Sequence, residues 1–197
     1  MQKLFIASNN RNKIEEISDI LDRNGIRMEL VCPNEYGCHE EPEENGLSFE
    51  ENAYIKAKFY HDRFHLPTIA DDSGISIDYF GGAPGIHSAR FLPQFNYEEK
   101  CERIIEMMKD VKDRKARFID CLCFIDEEGT VRYYRGVNEG SIAYQRAGNE
   151  GFGYDPIFVI PTYGKTEAEL GQTYKNEHSH RAKALKEWIS NEKERIS

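Results

Sequence analysis

An α/β fold with a mixed sheet is what the sequence predicts, on two features of the chain. In its N-terminal part, apolar runs of strand length alternate with stretches of helical spacing; further on, two apolar runs are joined by a tight turn and so pair locally. The 197 residues hold no internal repeat, low-complexity tract or evident linker, so 1–197 reads as a single domain. That length buries a sizeable core and leaves room for two lobes.

Leu4 to Ala7 is a short buried strand. It leads into a helix on which Ile14, Ile17, Ile20 and Leu21 recur at helical spacing, ending near Gly25. A second strand covers Met28 to Val31, and the acidic, aperiodic stretch from Pro33 to Gly46 is a loop. Ser48 and Glu51 form a capping box, reciprocally satisfying free N–H groups. The helix they open carries Phe49, Ala53, Ala57, Tyr60 and Phe64 on one face. Strands flank Asp71-Asp72 on both sides, and Gly81 to Gly85 is a loop. Cys101, Ile104, Ile105 and Met108 mark another amphipathic helix. Phe118 to Ile125 and Val131 to Val137 enclose Asp126-Glu127-Glu128-Gly129, a hairpin signal. Beyond the Gly-rich segment Gly148 to Pro156, a last helix starts at about His180 and buries Leu185, Trp188 and Ile189.

Composition narrows the class. The hydrophobic share of 39% and charged share of 31% are those of a soluble globular protein, and the net charge of −9 argues against a nucleic-acid partner. A small anion is still compatible, because a local cluster of Lys and Arg outweighs the global sign. The five cysteines show no CxxC spacing and fit a reducing compartment; Cys121 and Cys123 would share one strand face. No run is long enough for a signal peptide or a membrane span, so the expected location is cytoplasmic, with no membrane partner.

Several constellations can carry chemistry. Ser8-Asn9-Asn10-Arg11-Asn12-Lys13 lies between the first strand and first helix, where free N–H groups suit an anion. Arg11 and Lys13 oppose the helix dipole there, a conflict that a bound phosphate removes; the alternative is a solvated basic turn capped by Asn10. Asp71-Asp72-Ser73-Gly74 sits between apolar strands. Acids are costly inside a sheet, so the pair is expected where a strand ends, either as Mg²⁺ ligands or as a turn. Alternation places Asp71 and Ser73 on one face and Asp72 on the other. Glu40 to Gly46 offers a further Mg²⁺ ligand or a solvated acidic loop, and Asn52 and Lys56 project together, into a cleft or into water. Phe152, in Gly151-Phe152-Gly153-Tyr154-Asp155-Pro156, is a stacking platform for a base or a plug under a loop. Lys175 and His178-Ser179-His180-Arg181 precede and open the last helix, with Ser179 as N-cap. No Cys or third His is spaced to complete a zinc site, so His180 and Arg181 read as donors to a carbonyl or phosphate oxygen, or as a surface cap.

The order of these segments decides more than any one of them. SNNRNK, ENGLSFEENAYIKAK, ADDSGISIDYFGGAPGIHSARF, GFGYDPIF and SHRAKAL, spread over nearly the whole chain, resemble the inosine triphosphate pyrophosphatase family, also called the dITP/XTP pyrophosphatases. The resemblance implies a long mixed sheet with flanking helices and two lobes around a central cleft, usually as a homodimer. It implies hydrolysis of ITP, dITP or XTP to the monophosphate and pyrophosphate with Mg²⁺. By position, Ser8 to Lys13 resemble the triphosphate-binding turn and Lys56 a further phosphate contact. Glu44 and Asp72 resemble the metal ligands, with Asp72 also the proton acceptor. Ser73, Phe152, Gly153, Tyr154, Asp155, Lys175, His180 and Arg181 resemble the remaining substrate-binding positions. On this reading Lys13, Lys56 and Lys175 stabilise the leaving pyrophosphate, and Arg181 and His180 donate to O6 of the base. Two alternatives remain: a noncatalytic nucleotide sensor, and a pyrophosphatase of the same fold with another base preference.

Overall fold

The computed structural model describes residues 2–196, with side chains through residue 193. The chain divides into two compact units. The first comprises the residues up to Asp72, Asp120–Gly136, and those from Arg181 on; the second comprises Ser73–Ile119 and Val137–His180.

In the first unit, strand β1 (Lys3–Ile6) pairs in parallel with β2 (Glu29–Val31) and with β3 (Thr68–Ile77), in registers such as Lys3↔Glu29 and Phe5↔Thr68. The crossovers are α1 (Arg11–Arg23) and α2 (Phe49–Phe64), as the alternating pattern predicts. Strand alternation then builds two cores. Leu4, Ile6 and Ile69, with Leu122 and Phe124 of β4 (Lys115–Ile125), pack against Ile17, Ile20 and Leu21 of α1. Leu185 and Trp188 of α5 (His180–Ile196) complete that layer, Trp188 lying edge-on to Phe124. Each large side chain so buried is worth about 1.5–3 kcal/mol against exposure. Phe5, Ala7, Ala70, Cys123 and Ile125 point the other way, onto Ala53, Ala57 and Tyr60 of α2. Ser48 caps α2 by accepting from the Glu51 N–H, but the Glu51 carboxylate accepts from Leu47 rather than Ser48, so the expected capping box closes one residue early.

The second unit has its own core. Ile75, Ile77, Phe118, Ile142 and Phe158 pack with Cys101 and Ile104 of α3 (Tyr97–Met107). Arg114, buried, donates to the carbonyls of Met108, Ile142 and Ala143, adding to the Ile142 N–H to Arg114 carbonyl bond at the head of β4. Strand β5 (Val131–Ile142) pairs antiparallel with β6 (Phe158–Ile160), and β6 with β7 (Lys165–Thr166). The seven strands run in the order β2-β1-β3-β4-β5-β6-β7, a mixed sheet. Helix α4 (Glu167–His178) has no counterpart among the predicted elements. Gly171, at φ 83°, breaks it, so no single apolar stripe runs its length. No described helix is long and apolar enough to cross a membrane.

One expectation is overturned here. The chain does not break at Asp71-Asp72: β3 runs uninterrupted through ten residues, both aspartates buried within it. The cost of acids inside the sheet is met by cations and an amide brought from α1, α2 and α5.

Candidate active site

The turn after β1 is built by its own side chains. Ser8 Oγ accepts from the Asn10 N–H, and Asn10 Oδ1 caps α1 by accepting from Asn12 and Lys13. Asn9 Oδ1 accepts from the Asn34 N–H, tying the turn to the loop after β2. Arg11 and Asn12 are exposed, and Arg11, 91% exposed along its side chain, reaches only toward Glu15. Lys13 does the opposite. Its ammonium turns inward to Asp71 Oδ2 at 2.8 Å, and that carboxylate answers the conflict between a cation and the helix N-terminus.

Alternation along β3 sends Asp71 and Asp72 to opposite faces, as the sequence predicts. Asp72 points to the α2 side. There Asn52, fully buried, accepts from the Gly46 N–H at 2.9 Å and donates to Asp72 Oδ2 at 3.1 Å. A Cβ at Gly46 would lie 2.7 Å from Glu51 Cβ, so only glycine lets the acidic loop dock this closely. The docked loop carries Glu44. Lys56, one turn beyond Asn52, places its ammonium 3.3 Å from Glu44 Oε1 and 3.7 Å from Asp72 Oδ1. Burial pushes the Asp72 carboxyl above its ordinary range, and Lys56 and Asn52 oppose that shift without cancelling it.

The converging carboxylates fit Mg²⁺. They are hard oxygen donors, and a cation already stands between them. Two protein carboxylates suit an ion that keeps several waters and takes phosphate oxygens, and no cluster of three or more metal-ligating side chains occurs among the described residues.

On the opposite face, Asp71 Oδ2 receives Arg181 as well, at 3.0 Å from one terminal nitrogen and 3.3 Å from Nε. Arg181 also pairs with Glu16 of α1 and approaches Asp120 of β4 at 3.8 Å. Burial disfavours the charge on Asp71, but Lys13, Arg181 and Lys56 outweigh it and hold the carboxyl well below the usual range. The expected role of Arg181 therefore changes. With 1% of its surface exposed and its donors aimed at carboxylates, it is an internal countercation, not a donor offered to a base.

The second unit holds the aromatic loop. Asp155 Oδ2 accepts from the Phe152 N–H and from Lys175 Nζ, each at 2.8 Å, folding the loop onto its own carboxylate. Gly151 has φ 77°, and a Cβ there would lie 2.1 Å from that oxygen. The Lys175 ammonium also lies 4.3 Å from the centre of the Phe152 ring. Lys175 is thus committed to the loop, where the sequence reading set it on the leaving pyrophosphate. Tyr154 is buried, donating to the Ser88 carbonyl at 2.8 Å with its ring edge-on to Tyr97, so it braces the loop. Gly153, at φ 66°, carries the Phe152–Tyr154 turn. His180 is buried with its ring stacked on Phe118 at 4.7 Å, and Ser73 is half-buried on β3.

Two contributors lie outside the sequence-based set, Glu16 and Asp120 around Arg181, while Asn52, read from the sequence only as projecting with Lys56, bridges loop and strand. The signals were present. Glu16 interrupts an apolar helix face and Asp120 stands alone in the apolar run Phe118 to Ile125, and a lone acid in such a place implies a partner.

Comparison with known proteins bears on all of this. The description of the Ham1 family matches residues 4–191. A dITP/XTP pyrophosphatase of Treponema denticola is 42% identical, covering 93% of this chain and 94% of its own length. Another, of Photorhabdus laumondii, is 44% identical, covering 94% and 95%. Among solved structures, a HAM1 protein from Coxiella burnetii superposes with a TM-score of 0.88 at 34% identity, covering 98% of this chain and all, 100%, of its own. The Staphylococcus aureus Ham1 protein gives 0.87 at 31% identity, covering 98% and 99%.

Proposed function

The chain belongs to the Ham1 family, and on that premise we propose that it hydrolyses deaminated purine nucleoside triphosphates to the monophosphate and pyrophosphate, using Mg²⁺. The observation that carries this reading is the lysine-bridged pair of Glu44 and Asp72, a hard-cation seat beside the basic residues Lys13 and Lys56.

Asp72 accepts a proton from water as the water oxygen forms its bond to the α-phosphorus. The bond from that phosphorus to the bridging oxygen breaks, and pyrophosphate leaves. Lys13 and Lys56 exchange carboxylate partners for phosphate oxygens, and Asn52 keeps Asp72 oriented as Lys56 moves. When bound at Glu44 and Asp72, Mg²⁺ supplies charge neutralisation and alignment of the triphosphate. In the second unit, Phe152 offers the base a stacking face, its ring held by Lys175 and the loop carboxylate Asp155.

Two assignments travel with this proposal. One is a homodimer, which light scattering of the purified chain tests. The other is a cytoplasmic location, supported by five free cysteines. The central experiment is a panel of ITP, dITP, XTP, GTP and ATP, with pyrophosphate release followed in Mg²⁺ and in EDTA. Rapid release from the deaminated purines, abolished by EDTA, is expected. Binding without release would make the chain a nucleotide sensor, and a preference for another base would reassign its substrate.

A further inference from the structure

A buried cluster of charged side chains lies on the α1 and α5 side of β3. Lys13 and Arg181 bring two cations, while Glu16, Asp71 and Asp120 bring three carboxyl groups. Asp120 is fully buried, and neither of its oxygens receives a hydrogen bond from any N–H or O–H. Its nearest cation, the Arg181 guanidinium, stands 3.8 Å away, beyond hydrogen-bond reach, and faces Asp71 and Glu16 more closely. A carboxylate in that position would be an uncompensated buried charge. A carboxylic acid would instead be a donor, with the neighbouring Asp71 carboxylate to receive it.

We propose that Asp120 is a positioning residue held in its neutral acid form, donating a hydrogen bond to Asp71 and so fixing the carboxylate that Lys13 and Arg181 share. Direction agrees with geometry: burial first, and then the Asp71 charge, push the Asp120 carboxyl well above the ordinary range against Arg181 and Lys13. The facing groups are Lys13 and Glu16 from α1, Asp71 from β3 and Arg181 from α5, with Lys56 acting on Asp71 from the far face. With that proton, Asp120 adds no further negative charge beside Glu16 and Asp71.

The neutral form has a use, which rests on the proposed triphosphate role of Lys13. When phosphate draws Lys13 from Asp71, the cluster is left with Arg181 against Glu16 and Asp71. With Asp120 ionised, three anions would face that single arginine, and Lys13 would be held back more strongly. A neutral Asp120 lets Lys13 leave while still orienting Asp71.

The first test needs no substitution. In protein carrying ¹³C-carboxyl aspartate, at mildly alkaline pH and without nucleotide, one aspartate resonance should sit at the protonated position. It should stay there when Mg²⁺ is added, which distinguishes it from the metal-binding Asp72. A spectrum with every aspartate ionised overturns the proposal, whatever the enzyme's substrate proves to be. The second test is kinetic. Asp120→Ala removes the donor and should raise the KM for ITP about tenfold, and Asp120→Asn, neutral and still a donor, should recover most of that loss. An Asn variant as impaired as the Ala variant would overturn the neutral-donor role. If the Ala variant does not fold, the resonance in the parent protein decides alone.

Discussion

Asp71 and Asp72 are neighbours in sequence, identical in chemistry and opposite in situation. Asp71 faces α1 and α5 and shares one oxygen between Lys13 at 2.8 Å and Arg181 at 3.0 Å. Asp72 faces α2, with an amide at 3.1 Å and an ammonium at 3.7 Å. The first carboxyl is held firmly ionised and the second is pushed toward taking a proton. A strand's two-residue period, nothing more, separates them. Buried charge alone therefore does not mark a reactive group. Asp71 is saturated with cations and organises its surroundings, whereas Asp72 is undersupplied and remains available for chemistry.

The largest effect should come from the reactive side. Asp72→Asn keeps size and the Asn52 contact but can neither take a proton nor match the charge on Mg²⁺. Pyrophosphate release from ITP should fall by about 10³-fold or more with the thermal midpoint little changed. Near-parental turnover would erase the distinction between the two aspartates.

Arg181 tests the other side. Removing one partner of a buried ionic cluster costs about 3–5 kcal/mol, so Arg181→Ala should unfold at markedly lower denaturant. Whatever activity remains should fall alike for ITP and ATP, because the guanidinium acts through Asp71 and Lys13. A selective loss of ITP hydrolysis, with stability intact, would restore Arg181 as a reader of the base.

How far the sequence foretold this depends on the reach of each interaction. Alternation within β3 and the four-residue spacing of Asn52 and Lys56 are local, and both were legible. So were the strands of the first unit, the Asp126–Gly129 turn and the final helix. The unbroken course of β3 was not legible, because the local price of two acids in a strand is visible and its compensation is not. Arg181 meets Glu16 across 165 positions of chain and Asp71 across 110. Read locally, an arginine at a helix start is an exposed donor, and only the tertiary fold converts it into a buried countercation. Lys175 was misassigned for the same reason, its partner Asp155 being fixed by the folding of a loop.

The aromatic loop extends the comparison to a region held by backbone geometry. Phe152→Ala removes a stacking surface worth about 1–3 kcal/mol per base, so KM for ITP should rise roughly 5- to 150-fold with kcat changing less. An equal fall in kcat would place the ring in the chemical step and weaken the contrast with Asp72.

The smallest effect should come from another buried acid, Asp126, which combines a backbone cap with a cationic partner. It sits at the end of β4 in the first unit, yet its Oδ1 accepts from the backbone of Glu128 and Thr130, as Asp155 accepts from Phe152. Arg132 pairs with the other oxygen at 2.9 Å. Burial works against its ionisation, but the Thr130 N–H and Arg132 prevail and lower its affinity for a proton. A carboxyl lowered on folding contributes stability that is fully present above its unfolded value, about 3.9, and is lost as pH falls through the folded value. Asp126→Asn keeps an acceptor for the turn but not the charge, so it should lose about 1 kcal/mol at neutral pH. In urea denaturation that gap should begin to close near pH ~4 and vanish at lower pH, with ITP turnover unaffected at every pH where both proteins are folded. A gap that persists in acid would mean that Asn fails through packing. A loss of turnover would mean that a carboxylate outside the Asp71–Asp72 pair belongs to the reactive set after all.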